Sequence, residues 1–344
     1  MEKQQLIVHA GSHKTGSSAI QRYLFDNWQR MDGVAYLNRG KPNASPWMLQ
    51  AFKHDIAELP AFRSRQLDAA DSADMRKRAR SVLAEQAGQS SAPLSILSAE
   101  AIGAFNLPEL QALRDFVSPF FSQITLHQYF RPIKARMESA FQEKLKHGAT
   151  TLEDKFPLAY CHTLDLQDSV FGKENVHAYK YDSACFPQRD VVAHFLDKLG
   201  LKAAQGSVST PVNAGLSLPA IQLLYAYRKF NPVLARGDRA LVRKLTELRG
   251  EPLRFNSALY QKLVVLTQEE IERFKERAGF SLAEETDADD DIGIRDEEDL
   301  LAIPQRSIEW LHEQLGPRLA VGKTDLQAVA SMVSLLAEQQ NRRG

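Results

Sequence analysis

The residues best placed to do chemistry run from Gly11 to Ser18: Gly11-Ser12-His13-Lys14-Thr15-Gly16-Ser17-Ser18. They follow a short apolar run, Leu6-Ile7-Val8-His9-Ala10, and lead into a helical stripe of Ile20, Tyr23, Leu24 and Trp28. A strand, a glycine-bearing turn and a helix together make an anion cradle, because the turn's N–H groups and the positive end of the helix face the same point. Lys14 adds a full positive charge, and Thr15, Ser17 and Ser18 add hydroxyl donors. In a Walker A loop the lysine directly follows the second glycine. Here Ser17 follows Gly16 and the lysine stands two positions before that glycine, which argues against an ordinary ATPase or GTPase.

A second anion-binding pattern lies further along. The run Ile124-Thr125-Leu126-His127-Gln128-Tyr129-Phe130 ends at Arg131-Pro132, and a helical segment carrying Ser139 follows. Arginine can grip two phosphate oxygens at once, serine adds a neutral donor, and proline suits a first helical turn. The order His9-x-Gly11-x-x-Lys14-Thr15-Gly16-Ser17-Ser18 before a helix resembles the 5′-phosphosulfate loop of sulfotransferases that use 3′-phosphoadenosine 5′-phosphosulfate (PAPS). Arg131, with Ser139 eight residues later, is similar to that family's 3′-phosphate site. The resemblance spans roughly residues 6–28 and 94–146, is weaker over 176–235 and is absent elsewhere.

The resemblance implies PAPS as co-substrate, no metal, and a donor site made by Gly11, Ser12, His13, Lys14, Thr15, Gly16, Ser17, Ser18, Arg131 and Ser139. It gives Lys14 the role of stabilising the leaving phosphate. His13 is a candidate for assisting, although a loop histidine making only backbone contacts is the plainer reading. Ser98-Ala99-Glu100 resembles a segment of bacterial members, and carbohydrate-modifying members use a glutamate as base, so Glu100 is the candidate base. Its other reading, an acid capping a helix over 101–105, stays open. Neither the glycine-rich, lysine-containing segment near the C-terminus nor the strand-end histidine of the steroid and phenol enzymes has a match. Both absences point to a carbohydrate or glycoconjugate acceptor, sulfated on a hydroxyl or amine.

Two further readings stand beside this one. An atypical P-loop nucleotide kinase or NTPase needs an acidic metal ligand at a strand end, for which Asp182 is the candidate. A non-catalytic nucleotide-binding protein of the same fold needs only the cradle.

Composition narrows the field. The chain has 344 residues and a formal net charge of zero, so no global field attracts nucleic acid. Its two cysteines, Cys161 and Cys185, make neither a disulfide framework nor a zinc site, and read as packing thiols in a reducing compartment. With no apolar run long enough to span a membrane and no leader pattern, a cytoplasmic location is expected.

The elements that must position these residues alternate. Strands are expected at 6–10, 33–37, 94–98, 124–130 and 176–181, and helices at 14–30, 72–88, 107–117, 132–147 and 188–199. That alternation predicts an α/β, P-loop-type three-layer fold with a mostly parallel central sheet, whose ligands bind at the carboxyl ends of the strands. Helices dominate later, at 217–229, 237–249, 267–277 and 305–315. The expected division is a core over 1–212 and a helical C-terminal region over 213–344. An acidic segment, 284–299, reads as a solvated loop. The stripe of Leu326, Val329, Met332, Val333 and Leu336 reads as a packing or homodimer helix. Residues 40–93 are a candidate lid whose basic cluster, Arg76-Lys77-Arg78 and Arg80, reads as a solvated face or a contact for an anionic saccharide.

Overall fold

A computed structural model describes residues 4–11, 14–63, 65–152, 155–207, 215–283, 292–316 and 325–343. Its strands are β1 (Gln5–Ala10), β2 (Val34–Tyr36), β3 (Leu94–Ala99), β4 (Gln123–Phe130) and β5 (Val176–Lys180). The helices, in chain order, begin with α1 (Ser17–Asn27), α2 (Ser45–Phe52), α3 (Pro60–Arg63), α4 (Ala69–Gln89) and α5 (Leu107–Val117). Next come α6 (Ile133–Lys146), α7 (Tyr160–Phe171), α8 (Val191–Lys198), α9 (Leu218–Phe230) and α10 (Asp238–Leu245). The last are α11 (Ser257–Leu263), α12 (Gln268–Ala278), α13 (Glu297–Leu301), α14 (Gln305–Leu315) and α15 (Leu326–Arg343).

Two compact units divide the chain. The first comprises residues 1–132, 159–212 and 268–282; the second comprises 133–158, 213–267 and 283–344.

The first unit is built on a sheet in the order β2-β3-β1-β4-β5, parallel throughout. β1 is central because it is apolar on both faces: Leu6, Val8 and Ala10 are fully buried on one, and Ile7 and His9 are buried on the other. On the Ile7 face, Ile20, Tyr23 and Leu24 of α1 and Val192, Phe195 and Leu196 of α8 form one cluster with Ile96 and Tyr129. On the other face, Gln167 of α7 donates to Gln128 of β4 at 2.5 Å, and Phe130 meets Tyr160 of α7 and Phe274 of α12 edge to face. The result is the expected three-layer α/β architecture.

Local chemistry sets where the helices begin. Asp68 and Asp71 form a capping box at the start of α4, and Asn106 with Glu109 does the same for α5. Trp47 of α2 is buried, and its indole N–H donates to the Ala79 carbonyl of α4 at 2.9 Å. Arg76 and Arg80 of α4 donate to carbonyls of residues 51, 53 and 54, and Arg80 stacks on Phe52 and Phe116. Those two arginines therefore tie α4 to α2; they do not form a solvated basic face. Cys161 is buried as expected, whereas Cys185 is exposed and packs nothing in.

The second unit is helical. Its buried centre is an ion pair: Arg228 of α9 donates to Asp238 at 2.6 Å, with both side chains almost fully out of solvent. Tyr227 donates to the same carboxylate at 2.9 Å, and Arg228 also donates to the Leu145 carbonyl at 3.2 Å. Removing either partner would strand a buried charge, which costs roughly 3–5 kcal/mol. The apolar stripe of α15 is buried within this unit, against α9, α10 and α14. Of the acidic segment, 284–291 lies outside the described residues; Asp296 caps α13 by accepting from the Glu298 and Asp299 N–H groups.

One row across the sheet is polar. Ser98, His9, His127 and His177 stand at matching register on β3, β1, β4 and β5, all on the face that α8 covers. Burial lowers His9 from 6.5 to about 4 and His127 to about 3, the latter helped by its histidine neighbours. Both rings are therefore neutral in the folded protein. Below pH 6.5 the unfolded chain takes up protons that the folded chain refuses, so the stability held above that pH is lost as pH falls towards 4. Each ring should contribute a slope of about 1.4 kcal/mol per pH unit in that window. Urea unfolding across pH 4–7 should show this decline, and His9→Leu should make it shallower by about one proton. An unchanged slope in His9→Leu would refute the assignment.

Candidate anion and proton-transfer site

The site is described within the first unit, at the carboxyl ends of β3, β1 and β4, where the strand order reverses around β1. Ala10, Ala99 and Gln128 are level with one another. Gly11 and Glu100 are the next residues on their strands, so they emerge side by side. β4 runs two residues further before Arg131, which puts Arg131 three residues, or ~10 Å, beyond the level of Ala10.

Gly11 occupies a space that admits no side chain. A Cβ there would lie 2.5 Å from Glu100 Cγ and 2.6 Å from Ser17 Oγ. Gly103 backs the same point, since a Cβ on it would collide with the Gly11 carbonyl oxygen. Gly16 has φ +73, in the left-handed region, and its open side meets Val191 and Tyr181. Lys14 is also left-handed, with φ 62, a conformation that costs a residue with a Cβ about 1 kcal/mol or more. At Gly11 and Gly16, therefore, backbone and not side chain faces these neighbours. Thr15, Gly16 and Ser17 are buried in the loop, whereas Lys14 and Ser18 face solvent.

α1 begins at Ser17 with no side-chain cap on its N-terminus. The Ala19 and Ile20 N–H groups are taken up by the Gly16 carbonyl at 2.9 and 3.2 Å. Those of Ser17 and Ser18 come earlier in the turn, where a helix leaves its donors for an anion.

The two sequence patterns meet here. Arg131 donates to the Lys14 carbonyl at 3.2 Å. Its guanidinium lies 5.8 Å from the centre of the Tyr181 ring, and its own carbonyl accepts from the Tyr160 hydroxyl at 3.0 Å. Tyr181 therefore neighbours both Gly16 and Arg131. Ser139 is on α6 in the second unit, where it is buried. Ser12 and His13 lie outside the described residues.

Glu100 opens a short 3-10 turn, Glu100–Ala104. The Ala101 N–H is bound by the Ser45 hydroxyl of α2 at 3.0 Å, so capping of this turn falls to Ser45. Burial pushes the Glu100 carboxyl above the ordinary glutamate value, and the charge of Lys14 pulls it partly back. A half-buried carboxyl with a raised affinity for protons, beside an anion cradle, has the property that a general base requires.

Tyr181, Gly103, Ser45 and Tyr160 were not singled out in the sequence. A tyrosine directly after a strand that neighbours an arginine-ended strand is the only sequence signal any of them carries. Asp182 caps the 183–185 turn through the Ala184 N–H at 3.0 Å and pairs with Lys180 at 3.2 Å. A shallow depression lined by Arg114, Ser122, Gln123 and Ile124 lies at the opposite, amino-terminal end of β4, away from all of these groups.

No family model matches the chain, and no curated protein matches it. Among solved structures it is similar to a sulfotransferase from Alicyclobacillus acidocaldarius, at 12% identity and a TM-score of 0.37, over 64% of this chain and 91% of that one. A likeness so loose assigns no role to any residue.

Two substitutions test the packing. Gly11→Ala and Gly103→Ala should each lower stability by about 1–3 kcal/mol through overpacking, read by urea unfolding. Glu100→Gln should raise the melting temperature at pH 7–8, because a carboxyl whose folded pKa is raised opposes folding once ionised. The gain should vanish as pH falls and the parent's carboxyl is protonated. A gain of the same size at every pH would contradict a desolvated Glu100.

Proposed function

We propose that this chain is a sulfotransferase that moves a sulfuryl group from PAPS to a hydroxyl or amine of a carbohydrate or glycoconjugate. The observation that carries the reading is the convergence of three groups in one unit. The lysine-bearing loop, the Arg131 guanidinium against that loop's carbonyl, and the half-buried Glu100 stand at three neighbouring strand ends. The residues fit a nucleotide with two phosphate sites: a wall of backbone that a Cβ would fill, a helix start with no side-chain cap, and two flexible cations of which the arginine is capable of bidentate contact.

The donor supplies the sulfuryl group and a phosphate leaving group. Lys14 and the loop's N–H groups take up negative charge on the 5′ side, where charge accumulates as the sulfur–oxygen bond breaks. Arg131, held by Tyr181 and Tyr160, grips the phosphate on the 3′ side. Glu100 accepts the proton that the acceptor oxygen or nitrogen loses on attacking sulfur. The carbohydrate class of the acceptor rests on the use of a carboxylate base and on the resemblance set out above.

An atypical nucleotide kinase is favoured less because the Asp182 carboxylate is already engaged by Lys180 and by the turn it caps. A non-catalytic nucleotide-binding protein would leave the proton affinity of Glu100 without a use.

Calorimetry with 3′-phosphoadenosine 5′-phosphate, with ATP, ADP and AMP as controls and without metal, tests the donor site. Binding should depend on the 3′-phosphate and be indifferent to a chelator. Lys14→Gly keeps the left-handed backbone permitted, and Arg131→Ala removes the second cation. Each should weaken binding by about 10- to 100-fold, the worth of one charge-assisted contact. Parent-like binding by both variants, or a preference for ATP with Mg²⁺, would overturn the reading. Glu100→Gln should bind the nucleotide at least as tightly as the parent, since it frees Lys14 from a competing carboxylate, and lose transfer by about 10²- to 10⁴-fold once an acceptor is found.

A further inference from the structure

We propose that the loop joining α9 to α10, in the second unit, docks this protein on an anionic lipid surface. The last residue of α9 and the loop after it carry large apolar side chains in solvent: Phe230 is 48% exposed, Leu234 54% and Val233 79%. Single exposed apolar residues are ordinary, but three within five positions are not.

The loop is held rigid with those side chains outward. Its two ends are joined by the buried Arg228–Asp238 pair at 2.6 Å. Within the turn, the Ala235 N–H donates to the Asp238 carboxylate at 3.0 Å, and the Asp238 N–H returns to the Ala235 carbonyl at 3.1 Å. Gly237, at the start of α10, sits so close to α15 that a Cβ would lie 2.6 Å from the Ala337 carbonyl oxygen. A turn this constrained cannot fold Phe230, Val233 and Leu234 back into the unit.

Along this stretch of chain the exposed charge has one sign, and an acid on another element, Glu338 of α15, acts on Tyr227. From Phe230 to Arg243 the exposed charges are Arg236, Arg239 and Arg243, all positive. The one acid in that stretch, Asp238, is buried and neutralised by Arg228. Arg239 and Arg243 are one helical turn apart on the outer face of α10, opposite the buried Leu241 and Leu245. The chain as a whole has zero formal net charge, so this is a local feature.

A few apolar side chains at the tip of a fixed turn, rimmed by arginines, suit the headgroup region of a bilayer carrying negative lipids. Apolar groups enter the acyl boundary there, and cations stay with the phosphates. A protein partner fits less well, because a stable interface takes on the order of 800 Å² from each side, more than this turn offers.

The test uses the full chain and two sets of vesicles, phosphatidylcholine alone and phosphatidylcholine with phosphatidylglycerol. Co-sedimentation should occur with the second set only and weaken with salt. Val233→Asp, and separately Arg239→Glu with Arg243→Glu, should each reduce it at least ~10-fold while the melting temperature stays at the parent's value. The proposal is overturned if the anionic vesicles capture no protein, or if Val233→Asp is captured as well as the parent. It is equally overturned if sedimentation velocity shows that Val233→Asp dissolves a dimer present in the parent, which would make a second copy of the chain the occupant.

Discussion

The register of β1 between β3 and β4 is the constraint on which the site depends. It sets Ala10 level with Ala99 and Gln128, so Gly11 and Glu100 leave the sheet together and Arg131 leaves it three residues later. A slip of one residue would turn His9 towards α7 and Val8 towards α8, and no side chain would keep its environment. Because both faces are buried, that slip is forbidden by the core itself. The site's geometry is therefore inherited from apolar packing well below it. Beyond the sheet, Gly11 stands where Glu100, Ser17 and Gly103 leave room for backbone alone.

The sheet carries an unusual burden beneath that loop. Ser98 binds the Nδ1 of His9 at 2.7 Å, while the Nε2 of His9 has no partner among the described residues. His127 is better served, by Thr125 on one nitrogen and Tyr179 on the other, each at 3.0 Å. A buried polar row is tolerated only when its rings stay neutral and most of their atoms are paired. The aromatic shell of Tyr129, Phe195 and Tyr179 around the row provides the first condition by excluding water. What the row cannot do is accept protons, and this couples the integrity of the sheet to pH at a point one residue from the anion loop.

Much of the fold was legible in the sequence because the strands of a doubly covered parallel sheet are short continuous apolar runs. The runs at 6–10, 33–37, 94–98, 124–130 and 176–181 reappear as β1 to β5 within a residue or two of their expected bounds. The helices with a clear apolar stripe were equally legible. Those missed, α2, α3, α7, α11 and α13, are short or carry residues that depend on tertiary partners: Trp47 bonds to α4, and Gln167 to β4. Of the site, the sequence exposed the charged and glycine-rich parts, whose types announce anion chemistry. It hid Tyr181 and Gly103, whose roles come only from the proximity that the register creates. It also left Arg76 and Arg80 looking like a surface patch, because a sequence does not show that an arginine's donors are taken by carbonyls from another helix.

The same loop concentrates what is unfavourable in the first unit. Lys14 is held left-handed, Glu100 is desolvated, and the first donors of α1 await an anion. Each of these is a cost in the free protein. An anion beside Lys14 would satisfy the N–H groups and would also raise the proton affinity of Glu100 further, since a second negative charge opposes ionisation of the first. Under the proposed function, binding the donor and readying Glu100 as the base are linked through Lys14. Its charge draws the Glu100 carboxyl down in the free protein, and that pull is spent on the anion when the cradle is filled. A base tuned in this way holds protons more strongly with the donor in place, when an acceptor proton must be taken, than in its absence. That coupling requires nothing beyond the arrangement of one lysine, one glutamate and a glycine too crowded to carry a side chain.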